Sequence, residues 1–138
     1  MPYILVLIAG VRQLWNNIRA LDLLCDLPCV DADRIGMTGC SGGATQTLTL
    51  SLVDERIKAA APINMISLEM QGGCQCENAP GLRRHTENCE MCCMLAPRPL
   101  FIAGSTGDWT PCERCGTVCY LYQAGAAGVY GGICALFW

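Results

Sequence analysis

Basic residues, histidine and polar linkers are what this sequence has least of. Nine Lys and Arg stand against twelve Asp and Glu, for a formal charge of −3. No run of basic residues occurs, so the electrostatic footprint of a nucleic-acid binder is missing and that class is excluded. There is no internal repeat and no low-complexity linker. The first ten residues, MPYILVLIAG, lack the basic n-region and clear cleavage site of a secretory leader, and read as a buried strand. From Cys115 to Trp138 there is no charged residue, and Gly128 and Gly132 have GxxxG spacing. That length could cross a bilayer, but five glycines and Gln123 make it a poor span, and composition argues against a membrane partner. Histidine occurs once, as His85.

Apolar residues and cysteine are abundant. At 138 residues, 52% hydrophobic and 15% charged, the chain is long enough to bury a real core as one domain. Twelve cysteines would suit an oxidised secreted scaffold, but such scaffolds are small, polar and loop-rich. Here many cysteines lie inside apolar runs such as LDLLCDLP and EMCCMLAP, where a reduced thiol acts as a small hydrophobe. Mostly reduced, buried cysteines are therefore expected.

Periodicity orders the elements. Leu14, Ile18, Leu21 and Cys25 recur at helical spacing with Asn16, Arg19, Asp22 and Asp26 between them, which predicts a one-faced helix stopped by Pro28. After a polar turn at CVDAD, RIGMTG reads as a short strand, SGGATQTLTLSLVDE as a helix with Ala44, Leu48 and Leu52 on one stripe, and RIKAAAPIN as a buried strand. Residues 65–97 read as an irregular excursion, and RPLFIAGSTGD as an apolar strand entering a Gly-Asp turn. Strands separated by helical or long connections must run parallel, so the fold class is α/β.

Gly39-Cys40-Ser41-Gly42-Gly43 fits G-x-S-x-G with a strand before it and a helix after it. A serine turned sharply between strand and helix is lifted above the sheet in a strained conformation. Side chains at the flanking positions would clash there, which accounts for the glycines. The helix N-terminus aims backbone N–H groups at the site, and that of Gly42 would donate to the oxyanion of a tetrahedral intermediate. Such a serine needs a base and an acid, in the chain order serine, acid, histidine. Asp108, in a Gly-rich turn after a buried strand, is placed for the acid. His85 precedes it rather than following it, so it reads first as a surface residue of the excursion and only by an unusual path as the base.

The blocks DRIGMTGCSGGATQT, DERIKAAAPINMIS, QGGCQCENAPGLR and LAPRPLFIAGSTGDWT together resemble the α/β-hydrolase superfamily, and within it the acetylxylan-esterase-like hydrolases. Prolyl-oligopeptidase-type enzymes share the first block. The resemblance runs from about Trp15 to Thr110. It implies hydrolysis of carboxylic esters, often acetyl groups on sugars, through an acyl-enzyme, with Ser41 matching the nucleophile and Asp108 the acid. It also implies that the segment GGCQCENAPGLR shapes the substrate pocket, with Glu77 and Asn78 in it and Cys40 and Asn64 beside it. No cofactor is expected, and the implied partner is a small ester or acetylated carbohydrate.

The sequence departs from that family at both ends. The earlier strands, with the loop that gives the second oxyanion donor, have no counterpart, nor does the histidine loop beyond the acid. The expectation is a single, incomplete α/β-hydrolase domain over residues 1–138, with open sheet edges that favour self-association. Removing a triad histidine lowers turnover by roughly a millionfold in the subtilisin case, so weak or absent activity of the chain alone is expected. The alternative is a noncatalytic hydrolase remnant or a cysteine-rich module. Cys112-x-x-Cys115 with Cys74-x-Cys76 has zinc-like spacing, although the second pair belongs to a block that the hydrolase resemblance already explains, and no metal is assigned. Within enzymes, a prolyl-peptidase-like activity is the runner-up, since the corner serine alone does not separate esters from amides.

Overall fold

The computed structural model describes residues 2–64, 66, 76–77, 81–82, 84–103, 127–130 and 133–136, and of 2–9, 127–130 and 133–136 the backbone only. Helix α1 (Pro2–Asp26) leads through a 3-10 turn (Ala32–Arg34) into strand β1 (Ile35–Cys40), helix α2 (Gly42–Val53) and strand β2 (Ile57–Ile63). Helix α3 (Asn88–Met94), strand β3 (Phe101–Ala103) and strands β4 (Ala127–Tyr130) and β5 (Ile133–Leu136) follow. The sheet order is β1-β2-β3-β5-β4, with β1, β2 and β3 parallel and β5 and β4 added antiparallel. This is the α/β arrangement expected, with α2 as the crossover between β1 and β2.

Three expectations are corrected. The first ten residues are not a strand: from Pro2 onward they are the opening turns of α1. An apolar run cannot be told from a helix segment by periodicity, and here proline at the first helical position and the helical stripe downstream make one continuous helix. The segment 65–97 is not wholly irregular, because α3 forms within it behind a capping box. The Glu90 carboxylate accepts from the Glu87 N–H at 2.9 Å, and the Glu87 side chain accepts from the backbone of Glu90. Among the seven cysteines with described side chains, burial is not the rule. Cys89 and Cys92 are buried and Cys25 half-buried, whereas Cys29, Cys40, Cys76 and Cys93 are exposed, and none of the seven is in a disulfide. Adjacent cysteines on a helix face directions about 100° apart, so Cys92 enters the core and Cys93 does not. In the uncharged C-terminal region, 127–130 and 133–136 are strands, and among the described residues no helix is long and apolar enough to cross a membrane.

Two apolar clusters hold the elements, and α2 contributes to both. Leu21 of α1 packs with Ile35, Leu50 and Ile57, flanked by Leu14, Ile18 and Cys25, which is the stripe that the sequence spacing predicts. Leu48 packs with Ala60, Cys89, Met91, Cys92, Leu95, Leu100 and Ile102 under α3. A polar clamp sits at the α2–β2 turn. Arg56 donates to both carboxylate oxygens of Asp54, at 2.9 and 2.6 Å, and to Asp22 of α1 at 2.8 Å. Arg98 reaches the same turn, donating to the carbonyl of Ile57 at 2.9 Å.

Two outcomes follow from these environments. The hydrogen bond from Arg56 holds the Asp54 carboxyl below its ordinary 3.8. A lowered carboxyl stabilises the fold above its unfolded value, and that contribution disappears as pH falls through the folded value. Asp54→Asn should therefore lower the urea midpoint at neutral pH, with the gap to wild type closing on acidification. A gap that persists in acid would remove the ion pair from the explanation. Burial pushes the Cys89 thiol up to about 11, which makes its thiolate roughly a hundredfold scarcer at neutral pH. Brief iodoacetamide treatment of the native chain, read by peptide mass spectrometry, should mark Cys29 and Cys93 well before Cys89.

Candidate active site

The C-terminal ends of the parallel strands bring Cys40, Asn64 and Ala103 to one edge of the sheet. Cys40 pairs with Ile63, and Ile63 with Ala103. Ligands of open α/β sheets bind outside this edge. Ser41 is the corner residue between β1 and α2, with φ 58° and ψ −121°. A non-glycine residue at positive φ is strained by about 1–3 kcal/mol and persists only where its surroundings over-determine it. They do so here. The Ser41 N–H donates to the Ile63 carbonyl at 3.1 Å, and the Ser41 carbonyl accepts from Ala44 at 2.9 Å and Thr45 at 3.3 Å. Asn64, half-buried, has φ 55° and donates its N–H to the Ala103 carbonyl at 2.9 Å.

The glycines around Ser41 are not equivalent. A Cβ on Gly39 would lie 2.5 Å from the carbonyl carbon and oxygen of Gly43, and one on Gly42 would lie 2.8 Å from Cβ and Sγ of Cys76. A Cβ on Gly43 would meet nothing within 4 Å. The tight approach of strand to helix thus demands glycine at 39, while Gly43 matters for its backbone. As the first residue of α2, Gly42 carries an N–H with no acceptor inside the helix, the group an oxyanion would need.

The segment Cys76–Glu77 closes over this corner. Glu77 is 3% exposed, and its Oε1 accepts the hydrogen bond from the Ser41 hydroxyl. Its backbone carbonyl lies 3.4 Å from the hydroxyl of the buried Thr45, in the first turn of α2. Of the residues expected at the site, the structure therefore brings together Ser41, Gly42 and Glu77, with Cys40 exposed and Asn64 just past the end of the neighbouring strand. His85 is exposed in the turn before α3, and among the described contacts none joins it to Ser41. Asp108 and Asn78 lie outside the described residues, as do Cys74, Cys112 and Cys115. Among the described residues no cluster of His, Cys, Asp or Glu has metal-site geometry. The direct Ser41–Glu77 contact and the part of Thr45 are not readable from spacing, because 36 residues separate serine from glutamate.

No protein-family model matches the sequence, and no curated protein does either. Among solved structures, the chain is similar to methylesterase BT1017, with 35% identity and a TM-score of 0.69 over 80% of this chain. The chain spans 26% of the length of that protein. The fold is thus esterase-like.

The glycine geometry separates two otherwise similar substitutions. Gly39→Ala should destabilise the chain by about 1–3 kcal/mol or more through overpacking at the corner. Gly43→Ala should be neutral or stabilise it by about 0.4–1 kcal/mol, by lowering unfolded-state entropy. Urea denaturation of the two variants beside wild type reads both.

Proposed function

We propose that the chain carries the nucleophile region of a serine hydrolase of α/β-hydrolase type, acting on carboxylic esters through an acyl-enzyme at Ser41. The observation that carries this reading is the conformation of Ser41, held at φ 58° between β1 and the first residue of α2. A hydroxyl so placed meets an ester carbonyl at the end of the sheet, and the N–H of Gly42 receives the developing oxyanion. The likeness to a methylesterase supports ester rather than amide substrates. An acetylated sugar is the substrate class that the motif resemblance favours, and a methyl ester is the one that the name of the structural neighbour favours. Both pass through the same attack, the small group being the acyl part in an acetyl ester and the alcohol part in a methyl ester. Cys40 and Asn64 flank the serine at the strand ends and would line the acyl pocket. Asp108 and Asn78 enter on the resemblance alone, Asp108 as the acid of the catalytic set.

A fluorophosphonate probe and p-nitrophenyl acetate test the reading on the purified chain. Labelling at Ser41 and ester turnover should both be present in wild type and fall to background in Ser41→Ala. A serine knock-out in such enzymes lowers turnover by roughly 10⁶-fold. Equal labelling of wild type and Ser41→Ala would overturn the assignment. Comparing an acetylated with a methyl-esterified sugar then decides the substrate class.

A further inference from the structure

We infer that Glu77 is the proton acceptor for Ser41, making the two a Ser–Glu catalytic dyad; this rests on Ser41 being the nucleophile. Nucleophile and base must lie within hydrogen-bond reach, and geometry is the first criterion. The Ser41 hydroxyl donates to Glu77 Oε1, so the proton lost on attack already points at a carboxylate oxygen. Glu77 is also held in place rather than passing by. It is 3% exposed, its carbonyl lies 3.4 Å from the Thr45 hydroxyl, and the adjacent Cys76 packs on Gly42 so closely that an added Cβ would sit 2.8 Å away. The segment bearing the carboxylate is therefore docked on the same helix end that offers the oxyanion donor. His85, by contrast, is exposed in the turn before α3.

Charge accounting favours the dyad. A carboxylate that stayed ionised beside the serine would repel the oxyanion formed on attack. If Glu77 takes the proton, one negative charge moves from the carboxylate to the carbonyl oxygen and none is added. Ser41 Oγ bonds to the ester carbon as its proton passes to Glu77 Oε1, and the carbonyl π pair moves to oxygen. Collapse restores the carbonyl, breaks the bond to the alcohol and returns the proton from Glu77 to the departing oxygen. In the second half, water adds to the acyl carbon as Glu77 takes its proton. Collapse then releases the acid, and the proton returns to Ser41.

Gln at position 77 separates this role from a structural one, because an amide oxygen can still accept from Ser41 and hold the segment but does not take up its proton. The experiment follows the rate of fluorophosphonate labelling against pH in wild type, Glu77→Gln, Glu77→Asp and His85→Ala, each shown folded by circular dichroism. In that reaction Oγ bonds to phosphorus, fluoride leaves and the serine proton goes to the base. Glu77→Gln should label roughly 10²–10⁴-fold more slowly than wild type, the range for loss of general-base catalysis. Glu77→Asp should recover part of the rate, and the wild-type profile should show no step near pH ~6.5, where an imidazole base would lose its function. Wild-type labelling that Glu77→Gln leaves unchanged, or a loss in His85→Ala instead, overturns the dyad while keeping Ser41 as nucleophile. A folded wild-type chain that does not label at all overturns both.

Discussion

The backbone of Gly43 passes so close to Gly39 that a single added methyl carbon would lie 2.5 Å from its carbonyl. That approach fixes how steeply the chain turns from β1 into α2, and much else in the molecule depends on it. It sets α2 where Leu48 reaches one apolar cluster and Leu50 the other, so the two cores beneath α3 and α1 share a helix. It also leaves Ser41 nowhere to go but positive φ. The strain there, about 1–3 kcal/mol in such conformations, is offset by the backbone bonds that Ser41 makes to β2 and to the first turn of α2.

The C-terminal edge of the parallel strands then collects the remaining groups. Ser41 follows β1, Asn64 follows β2 and Ala103 ends β3, tied by hydrogen bonds from Ser41 to Ile63 and from Asn64 to Ala103. Over this edge the Cys76–Glu77 pair docks on the N-terminus of α2 through glycine contact, a hydroxyl–carbonyl bond and the Ser41–Glu77 hydrogen bond. At the opposite end of α2, the Asp54–Arg56–Asp22 clamp joins α1 to the start of β2. One helix is therefore anchored at both ends, and the putting-together of the site is inseparable from the packing of the core.

Chemically, the corner places a hydroxyl, a backbone N–H at a helix N-terminus and a buried carboxylate in one small volume. The hydroxyl and the N–H are the two groups that the proposed acyl transfer from an ester would use. In the dyad we infer, the carboxylate takes up the serine proton, so that no net charge is added during attack.

Much of this was legible in the linear order of residues. The glycine-flanked serine, the stripe Leu14–Ile18–Leu21–Cys25, the stripe Ala44–Leu48–Leu52 and the strands on either side of α2 are local patterns, set by helical and strand periods and by the sterics of one turn. The same local logic failed where it had no period to use: MPYILVLIAG is apolar throughout, so strand and helix were indistinguishable until its continuity with the downstream helix was seen. Nor could spacing tell that Cys92 faces the core while Cys93 faces solvent. The meeting of Ser41 with Glu77 spans 36 residues and depends on the docking of Cys76 and Glu77 on the N-terminal end of α2. Short-range chemistry writes a corner into a sequence, but which distant carboxylate reaches that corner is decided only in the tertiary structure, where Cys76 and Glu77 pack on the first turn of α2.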